Sequence, residues 1–257
     1  MYASKQFIVR NTEDVFRDID AFLPYQNMIR RVFLADGDPM VLSTNKLLTI
    51  LKKIKETFPR LNRISTYASP NNIVKKSLNE LKEIKDAGLD LLYVGIESGD
   101  NKVLEAVNKG ETFKSIVDAL NLSNLAGFNA SVMIITGLGG RLLSKAHAIE
   151  SAKILNETQP KYASTLVLNN YNGLEHYQAR YKGEFILQNQ SELLKEMREF
   201  LFNTDLKETI FRSDHASNYL ALKGVLGRDK EKFLAQIDQI LSTNDFSSLR
   251  PEELRGF

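Results

Sequence analysis

Polar side chains that could bind a ligand follow five apolar stretches of this chain, each at the point where the stretch ends. These clusters are Asp36-Gly37-Asp38, Tyr67-Ala68-Ser69, Glu97-Ser98-Gly99-Asp100, Gly137-Leu138-Gly139-Gly140 and Asn169-Asn170. Carboxylates accept hydrogen bonds and attract cations, whereas hydroxyl and amide groups both donate and accept hydrogen bonds. Each cluster taken alone is ordinary turn or N-cap chemistry. Together they predict a binding site lined by acids, amides, hydroxyls and bare backbone.

The apolar stretch that spans residues 91–96 runs directly into Glu97, Ser98 and Asp100. A strand that is apolar on both faces is typical of a parallel sheet covered by helices. In such sheets, ligands bind just beyond the carboxyl ends of the strands. We therefore expect these three residues to lie at the centre of the site.

Apolar stretches begin near residues 31, 63, 91, 130 and 162 and alternate with segments of helical periodicity. Their separation of about thirty residues is the length of one βα unit. This alternation predicts an α/β fold whose parallel strands form either a barrel-like sheet or a doubly wound one. The first periodic segment, residues 12–25, is helical. We therefore expect the sheet to lack the strand that would precede that helix.

Beyond residue 174 the strand pattern fades, and helices are predicted near residues 191–203 and 229–241. Between these helices lies the polar run 211–219, which has no clear periodicity. We expect a barrel core over residues 1–185 and a helical C-terminal extension over residues 186–257 packed on it.

The composition limits the classes of function. The 257 residues suffice for one α/β domain, and 34 basic against 32 acidic residues leave a formal charge of +2, so nucleic acid is not indicated. The chain contains neither a membrane-length apolar run nor a signal peptide, which favours a cytoplasmic location. The absence of cysteine excludes disulfides, thiolate nucleophiles and all-cysteine iron-sulfur ligation within this chain.

The three histidines do not have the spacing of helical metal ligands, so no metal site is predicted. We expect His147 and His176, which fall in predicted helices, on the surface. Asp214 and His215 lie in a polar loop that could close over the site as a catalytic pair. An acid next to a histidine is as often a solvated turn.

Two weaker signals compete with this interpretation. The glycine-rich loop 137–140 is similar to half of a dinucleotide fingerprint, but the third glycine and the following acid are not in place. The lysines of residues 52–55 and 75–76 are typical of a solvated helix face, because no aromatic residues are interleaved with them.

Two motifs carry a resemblance to a known family. Ala35-Asp-Gly-Asp-Pro39 occupies the place of the Gly-Gly-Glu-Pro motif of radical S-adenosylmethionine (SAM) enzymes. Gly95-Ile-Glu-Ser-Gly-Asp-Asn-Lys-Val-Leu-Glu-Ala-Val-Asn-Lys-Gly110 is similar to the fourth-strand signature of the branch that includes anaerobic coproporphyrinogen oxidases and methylthiotransferases. The segment 211–224 also resembles the corresponding segment of a bacterial subgroup of these enzymes. The resemblance implies a partial (β/α)6 TIM-like barrel that lacks its first strand.

The resemblance also implies the cofactors S-adenosyl-L-methionine and a 4Fe-4S cluster. In the family the cluster is held by a Cys-x3-Cys-x2-Cys loop after the first strand, and this loop is missing here. The opening residues, Met1-Tyr2-Ala3-Ser4-Lys5, resemble those that follow the loop in relatives. We expect a truncated chain that begins just after the cluster-binding loop.

Residue roles follow from the resemblance. The segment Asp36-Gly37-Asp38 would meet the methionyl ammonium. Ser69, Glu97 and Ser98 would face the methionyl carboxylate and the ribose. The adenine contacts would come from Ile135, Gly137, Asn169 and Asn170.

Three functions remain open at this stage. The first is a radical SAM oxidoreductase whose full-length form would cleave S-adenosylmethionine reductively, with electrons from a flavodoxin or ferredoxin, to act on an unknown small-molecule substrate. The chain as written would be inactive because the cluster cysteines are absent. The second is a cluster-free barrel that only binds S-adenosylmethionine or a small metabolite. The third, a barrel lyase or aldolase, lacks the strand-end lysine that it would need.

Overall fold

The computed structural model describes residues 8–169 and 173–256, which form one open sheet covered by helices on one side. The strands of this part of the chain are β1 Arg31–Leu34, β2 Arg63–Tyr67, β3 Leu89–Glu97, β4 Asn129–Thr136, β5 Tyr162–Val167, β6 Ile210–Ser213 and β7 Leu222–Val225. Their order in the sheet is the order in the chain. Strands β1 to β6 are parallel, and β7 pairs antiparallel with β6. We call the edge at which β1 to β6 end the rim.

Helices connect the strands. They are α1 Thr12–Asp20, α2 Thr44–Thr57, α3 Pro70–Val74, α4 Leu78–Asp86, α5 Asn101–Ala106, α6 Phe113–Leu125, α7 Gly140–Thr158, α8 Leu174–Gln178, α9 Gln190–Asn203 and α10 Leu226–Thr243. Short 3-10 turns lie at Leu23–Tyr25, Pro39–Val41 and Glu252–Leu254. No helix in residues 8–169 and 173–256 is long and apolar enough to cross a membrane.

The two faces of the sheet differ, because successive side chains of a strand point to opposite sides. On β3, Leu92, Val94 and Ile96 are almost fully buried against the helices. The inner, concave face carries aromatic side chains instead: the ring of Phe33 lies 4.8 Å from that of Tyr67, and both remain exposed. The helices therefore build the core on the outer face, and the inner face stays open.

A mostly apolar groove of about 460 Å³ lies beside the β1 edge of the sheet, between α1 and α2. Its lining includes Val15, Ile19, Leu47 and Ile50. Within the described residues, β1 pairs only with β2, so the sheet does not close into a full barrel.

The predicted fold is confirmed: an α/β sheet of parallel strands forms an open, barrel-like arrangement with helices outside. All five predicted strands are present and parallel. Two further strands, β6 and β7, lie in the C-terminal part, where only helices were predicted. Each has four residues, too few for a clear period-two pattern, and β6 forms because it pairs with β5.

Candidate functional site

Glu97 has the most unusual backbone of the rim. Its φ of 64° lies in the left-handed region, which costs energy for any residue other than glycine. The pairing of β3 with β4 shifts register between Gly95 and Glu97. This bulge folds the Glu97 side chain back over β3, where a β-carbon on Gly95 would lie only 2.4 Å from Oε1. Glycine at position 95 therefore makes room for the carboxylate.

The Glu97 carboxylate is mostly enclosed and only partly paired. Oε1 accepts a hydrogen bond from Lys109 Nζ at 3.0 Å, and the two side chains are 18% and 26% exposed. Oε2 is buried and has no hydrogen-bond partner among the described residues. A buried oxygen without a donor is costly, so the arrangement is suited to a ligand that donates to it.

Lys109 was missed by the sequence analysis. After α5 ends, Asn108 adopts the left-handed conformation with φ 53°, and the Lys109 amide donates to the carbonyl of Leu104. This turn carries the lysine side chain back to the end of β3. The signal was present in Asn108-Lys109-Gly110, because asparagine and glycine mark a helix C-terminus that reverses the chain.

Asp38 ties the loop after β1 to the loop after β2. Its Oδ1 accepts the amide of Met40 at 2.9 Å, and its Oδ2 accepts the amide of Ser69 at 2.7 Å and Asn72 Nδ2 at 2.8 Å. Ser69 in turn caps α3. The structure therefore brings Asp38 and Ser69 together, and it assigns both side chains to holding the rim. Contact of Asp38 with a methionyl ammonium stays a prediction.

Asp36 and Gly37, which precede Asp38, form a tight left-handed turn with φ values of 60° and 124°. Just below the loop, Lys76 is 8% exposed and donates to the carbonyl of Leu42 at 2.6 Å. Burial lowers the pKa of the Lys76 ammonium, and the nearby Glu80 and Asp38 carboxylates partly offset this effect. This part of the rim thus combines a buried cation with the Asp38 carboxylate.

A second tie joins the loops after β2 and β3. The amide of Asn71 donates to Glu111 Oε1 at 3.0 Å, and Asn71 Nδ2 donates to the carbonyl of Gly110 at 3.2 Å. Gly110 directly follows Lys109. The loops after β1, β2 and β3 therefore form one hydrogen-bonded unit around Glu97.

His147 lies in the interior, where it contacts Ser98. His147 was expected on the surface, but this expectation is wrong: it is 1% exposed, and its Nδ1 lies 2.8 Å from Ser98 Oγ. The reason is tertiary, because α7 packs against α9 and against α6. Ser98 is fully buried, and its Oγ also accepts the Asp100 amide at 3.0 Å. In this structure Ser98 lies beneath the rim surface.

Glu196 was also missed. It is 3% exposed and accepts the amide of Gly137 at 2.6 Å and Ser144 Oγ at 2.6 Å. Its Oε1 lies 3.6 Å from His147 Nε2. A signal existed in the sequence: residue 196 falls between Leu193 and Phe200 on the apolar face of α9, where a carboxylate requires buried partners.

The glycine-rich loop is packed against protein atoms. Gly137 has a φ of 87°, and a β-carbon there would lie 2.9 Å from Leu193 Cδ2. A β-carbon on Gly140 would lie 2.8 Å from the carbonyl oxygen of Ile186. These glycines therefore allow α9 and the chain near residue 186 to approach the loop. Ile135 is half-buried on the inner face of β4, and an adenine contact of Ile135 and Gly137 stays a prediction.

Two predicted regions lie farther from Glu97. Asn169 is half-buried just beyond β5, and Asn170 lies outside the described residues. Asp214 and His215 are exposed at the end of β6, three strands away from β3. His215 Nδ1 lies 3.0 Å from Ser217 Oγ. The pair is on the rim, but the structure does not bring it to the Glu97 carboxylate.

Residues 8–169 and 173–256 contain no cluster of three or more histidine, aspartate or glutamate side chains that could hold a metal ion. The chain also has no cysteine. Thiolate ligands of an iron-sulfur cluster therefore cannot come from these 257 residues.

Comparison with known proteins identifies the family of this chain. The model of the radical SAM superfamily matches residues 2–151, more than half of the chain. The chain belongs to the radical SAM superfamily. It is similar to the heme chaperone HemW of Bacillus subtilis, with 25% identity over 141 residues that cover 54% of this chain and 37% of that protein. HemW of Buchnera aphidicola is 24% identical over 169 residues, which cover 63% of this chain and 44% of that protein.

Two solved structures share the fold. Coproporphyrinogen III oxidase (HemN) of Escherichia coli matches with a TM-score of 0.60 and 19% identity, over 77% of this chain and 48% of that one. Elp3 of Methanocaldococcus infernus matches with a TM-score of 0.57 and 16% identity, over 88% of this chain and 58% of that one. The expected relation to the coproporphyrinogen oxidase branch is confirmed, and the chain spans less than half the length of the two HemW proteins.

Proposed function

We propose that this chain is the barrel part of a radical SAM enzyme and that its rim binds S-adenosylmethionine. The observation that carries the proposal is the Glu97 carboxylate. It belongs to a residue with a left-handed backbone conformation, it fills the space left by Gly95, and one of its oxygens is buried without a hydrogen-bond donor among the described residues. Strain and an unsatisfied buried acceptor are tolerated where they serve a ligand.

The charges of the rim suit a zwitterionic ligand. The Lys109 ammonium could shift from Glu97 to a methionyl carboxylate, which would leave Glu97 as an acceptor for ribose hydroxyl groups. The loop of Asp36, Gly37 and Asp38 would face the methionyl ammonium, and Ile135, Gly137 and Asn169 would lie towards the adenine. Ser98 and Ser69 would support these contacts from below, because their side chains cap the chain at the rim.

The 4Fe-4S cluster that the family uses does not fit the residues of this chain, because no thiolate is available. We therefore propose binding, without cleavage, as the activity of these 257 residues on their own. Reductive cleavage of S-adenosylmethionine, and the electron donor that it needs, belong to an assembly in which thiolates are supplied from outside this chain. A cytoplasmic location is part of the same proposal.

The open inner face suggests where a substrate would lie. The Phe33 ring is 4.8 Å from that of Tyr67 and 5.4 Å from that of Tyr93, and Phe33 and Tyr67 are exposed among the residues that the structure describes. It is suited to a flat, apolar molecule such as the heme in the name of the HemW relatives. Titration with hemin tests this: Tyr67→Ala should bind hemin more weakly than wild type. Equal affinity of wild type and Tyr67→Ala would show that the substrate does not bind to this face.

Calorimetric titration of the chain with S-adenosylmethionine tests the binding proposal. Glu97→Ala should weaken binding roughly ten- to a hundredfold, the effect of losing a charge-assisted hydrogen bond. Glu105→Ala is the matched control, because Glu105 is exposed on the adjacent α5. Equal affinities of wild type, Glu97→Ala and Glu105→Ala would contradict the proposal.

A further inference from the structure

A chain of buried polar groups runs beneath the rim from the end of β3 to the end of β4. His147 is at its centre: Nδ1 lies 2.8 Å from Ser98 Oγ, and Nε2 lies 3.6 Å from Glu196 Oε1. Glu196 Oε1 also accepts the amide of Gly137 at 2.6 Å. Ser98, His147 and Glu196 are at most 3% exposed. The imidazole thus connects two rim loops that are separate in the sequence.

Burial argues against a nucleophilic role for this serine, histidine and glutamate. No substrate can reach a Ser98 hydroxyl that is fully buried and already bonded on two sides. A polar network in the interior is tolerated only when its members satisfy one another, and it then fixes the position of the groups that it joins. The network is therefore suited to positioning.

The positions of Ser98 and Glu196 favour a proton on Nε2 of His147. If Nε2 carries the proton, its N–H faces the Glu196 carboxylate, and Nδ1 accepts the hydroxyl proton of Ser98. The other tautomer would turn the Nε2 lone pair towards the carboxylate, which is repulsive. Ser98 Oγ then donates to His147 and accepts from the Asp100 amide, so the peptide that follows Glu97 is fixed by the ring.

We propose that His147 is a positioning residue, with its Nε2–H directed at Glu196, which couples the Glu97–Asp100 turn to the glycine loop through Ser98 and Glu196. The inference rests on the proposed function, because it states how two parts of the S-adenosylmethionine site are kept in register. It goes beyond that function by assigning a role to residues that do not touch the ligand.

Two conservative variants separate the two contacts of the ring. The amide of asparagine is the same number of bonds from the backbone as Nδ1, whereas the amide of glutamine matches Nε2. His147→Asn should therefore keep the contact with Ser98 and lose that with Glu196. His147→Gln should do the opposite, and His147→Phe should lose both while filling the space.

Amide NMR spectra report these contacts directly. In His147→Asn the Gly137 amide should shift while the Gly99 and Asp100 amides stay near their wild-type positions. In His147→Gln the Gly99 and Asp100 amides should shift, while the Gly137 amide should stay near its wild-type position. The ring nitrogen shifts of wild-type His147 should show the proton on Nε2. A ring whose Nε2 carries no proton, or the same amide pattern in both variants, would overturn the assignment. The wild type provides the first of these tests even if His147→Phe does not fold.

Calorimetry with S-adenosylmethionine completes the test. His147→Asn and His147→Gln should each bind roughly five- to tenfold more weakly than wild type, because each loses one polar contact of the network. Unchanged affinity in both would show that the network does not position the site. A wild-type protein that does not bind S-adenosylmethionine, but whose variants give the predicted amide patterns, would contradict the proposed function while the coupling of the two loops stands.

Discussion

The Glu97 carboxylate occupies the space that a side chain at position 95 would need: a β-carbon on Gly95 would lie 2.4 Å from Glu97 Oε1. Both residues belong to β3, and the bulge between them brings the carboxylate back over its own strand. The conformation of one residue of the candidate site thus depends on the absence of a side chain at another.

Gly95→Ala should displace the Glu97 carboxylate. Because the clashing atom is the end of a flexible side chain, the free energy of unfolding should fall by no more than about 1 kcal/mol. Affinity for S-adenosylmethionine should fall roughly tenfold with the loss of the ordered acceptor. Gly256→Ala is the control, since a β-carbon there would meet its nearest atom at 4.0 Å. Chemical denaturation and calorimetry measure the two effects, and unchanged affinity in Gly95→Ala would contradict this role of Glu97.

Glu97→Gly should separate stability from binding. Glycine removes the cost of the left-handed backbone, about 1 to 2 kcal/mol, which offsets the lost contact with Lys109. We expect the free energy of unfolding to stay within about 1 kcal/mol of wild type, whereas the affinity for S-adenosylmethionine falls roughly ten- to a hundredfold, as in Glu97→Ala. Asn108→Gly is the control. It removes the cost of a similar left-handed backbone, with φ 53°, at a residue that does not contact the ligand, and should leave the affinity for S-adenosylmethionine unchanged. A large loss of stability in Glu97→Gly would show that Glu97 serves the fold.

Lys109→Met should leave the Glu97 carboxylate with no cation beside it. Removing one partner of a partly buried pair should cost roughly 1 to 3 kcal/mol of unfolding free energy. Adding Glu97→Gln should recover part of this cost, because the neutral amide no longer needs a cation. Urea denaturation of the two single variants and the double variant gives the coupling energy. Lys102→Met, on the exposed side of α5, is the control, and a coupling energy of zero would refute the pairing.

The strands could be predicted from the sequence, whereas the contacts between residues of different rim loops could not. The run 91–96 is apolar on both faces, so its place in a covered parallel sheet followed from local pattern. The burial of His147 depends on α9, which packs on α7 and begins fifty residues after the start of α7. The pairing of Lys109 with Glu97 depends on a turn after α5. Asn108 and Gly110 indicate that turn, but a local pattern does not say which residue the lysine side chain then contacts.

The N-cap interpretation of the strand-end residues was also correct, and it coexists with the site. Asp38, Ser69 and Asp100 each accept an amide hydrogen bond from the turn or helix that follows them. Pattern alone could not distinguish these capping residues from Glu97, whose carboxylate caps no helix and faces back along the strand. The distinction comes from the bulge in β3, which the sequence did not reveal.

Acid should destabilise the fold through Glu80. The Ser77 amide, the Thr44 hydroxyl and the Ser77 hydroxyl donate to its carboxylate and lower its pKa to about 2. Since this value is below the ordinary 4.5, the unfolded chain takes up a proton first as pH falls, so the contribution of Glu80 to stability is present above pH 4.5 and is lost towards pH 2. Urea unfolding from pH 6 to pH 2 should show a shallower decline in Glu80→Gln than in wild type. Glu83→Gln, an exposed change in the same helix, should follow wild type, and identical curves for all three would contradict the prediction.

Amide NMR of the chain titrated with S-adenosylmethionine tests the central claim most directly. We predict that the largest shift changes fall on residues 95–100, on Lys109 and on the loops 36–38 and 137–139, and that Glu97→Ala needs a higher ligand concentration to reach the same changes. No change at millimolar ligand, or changes confined to the apolar groove between α1 and α2, would contradict the assignment of the site to the rim.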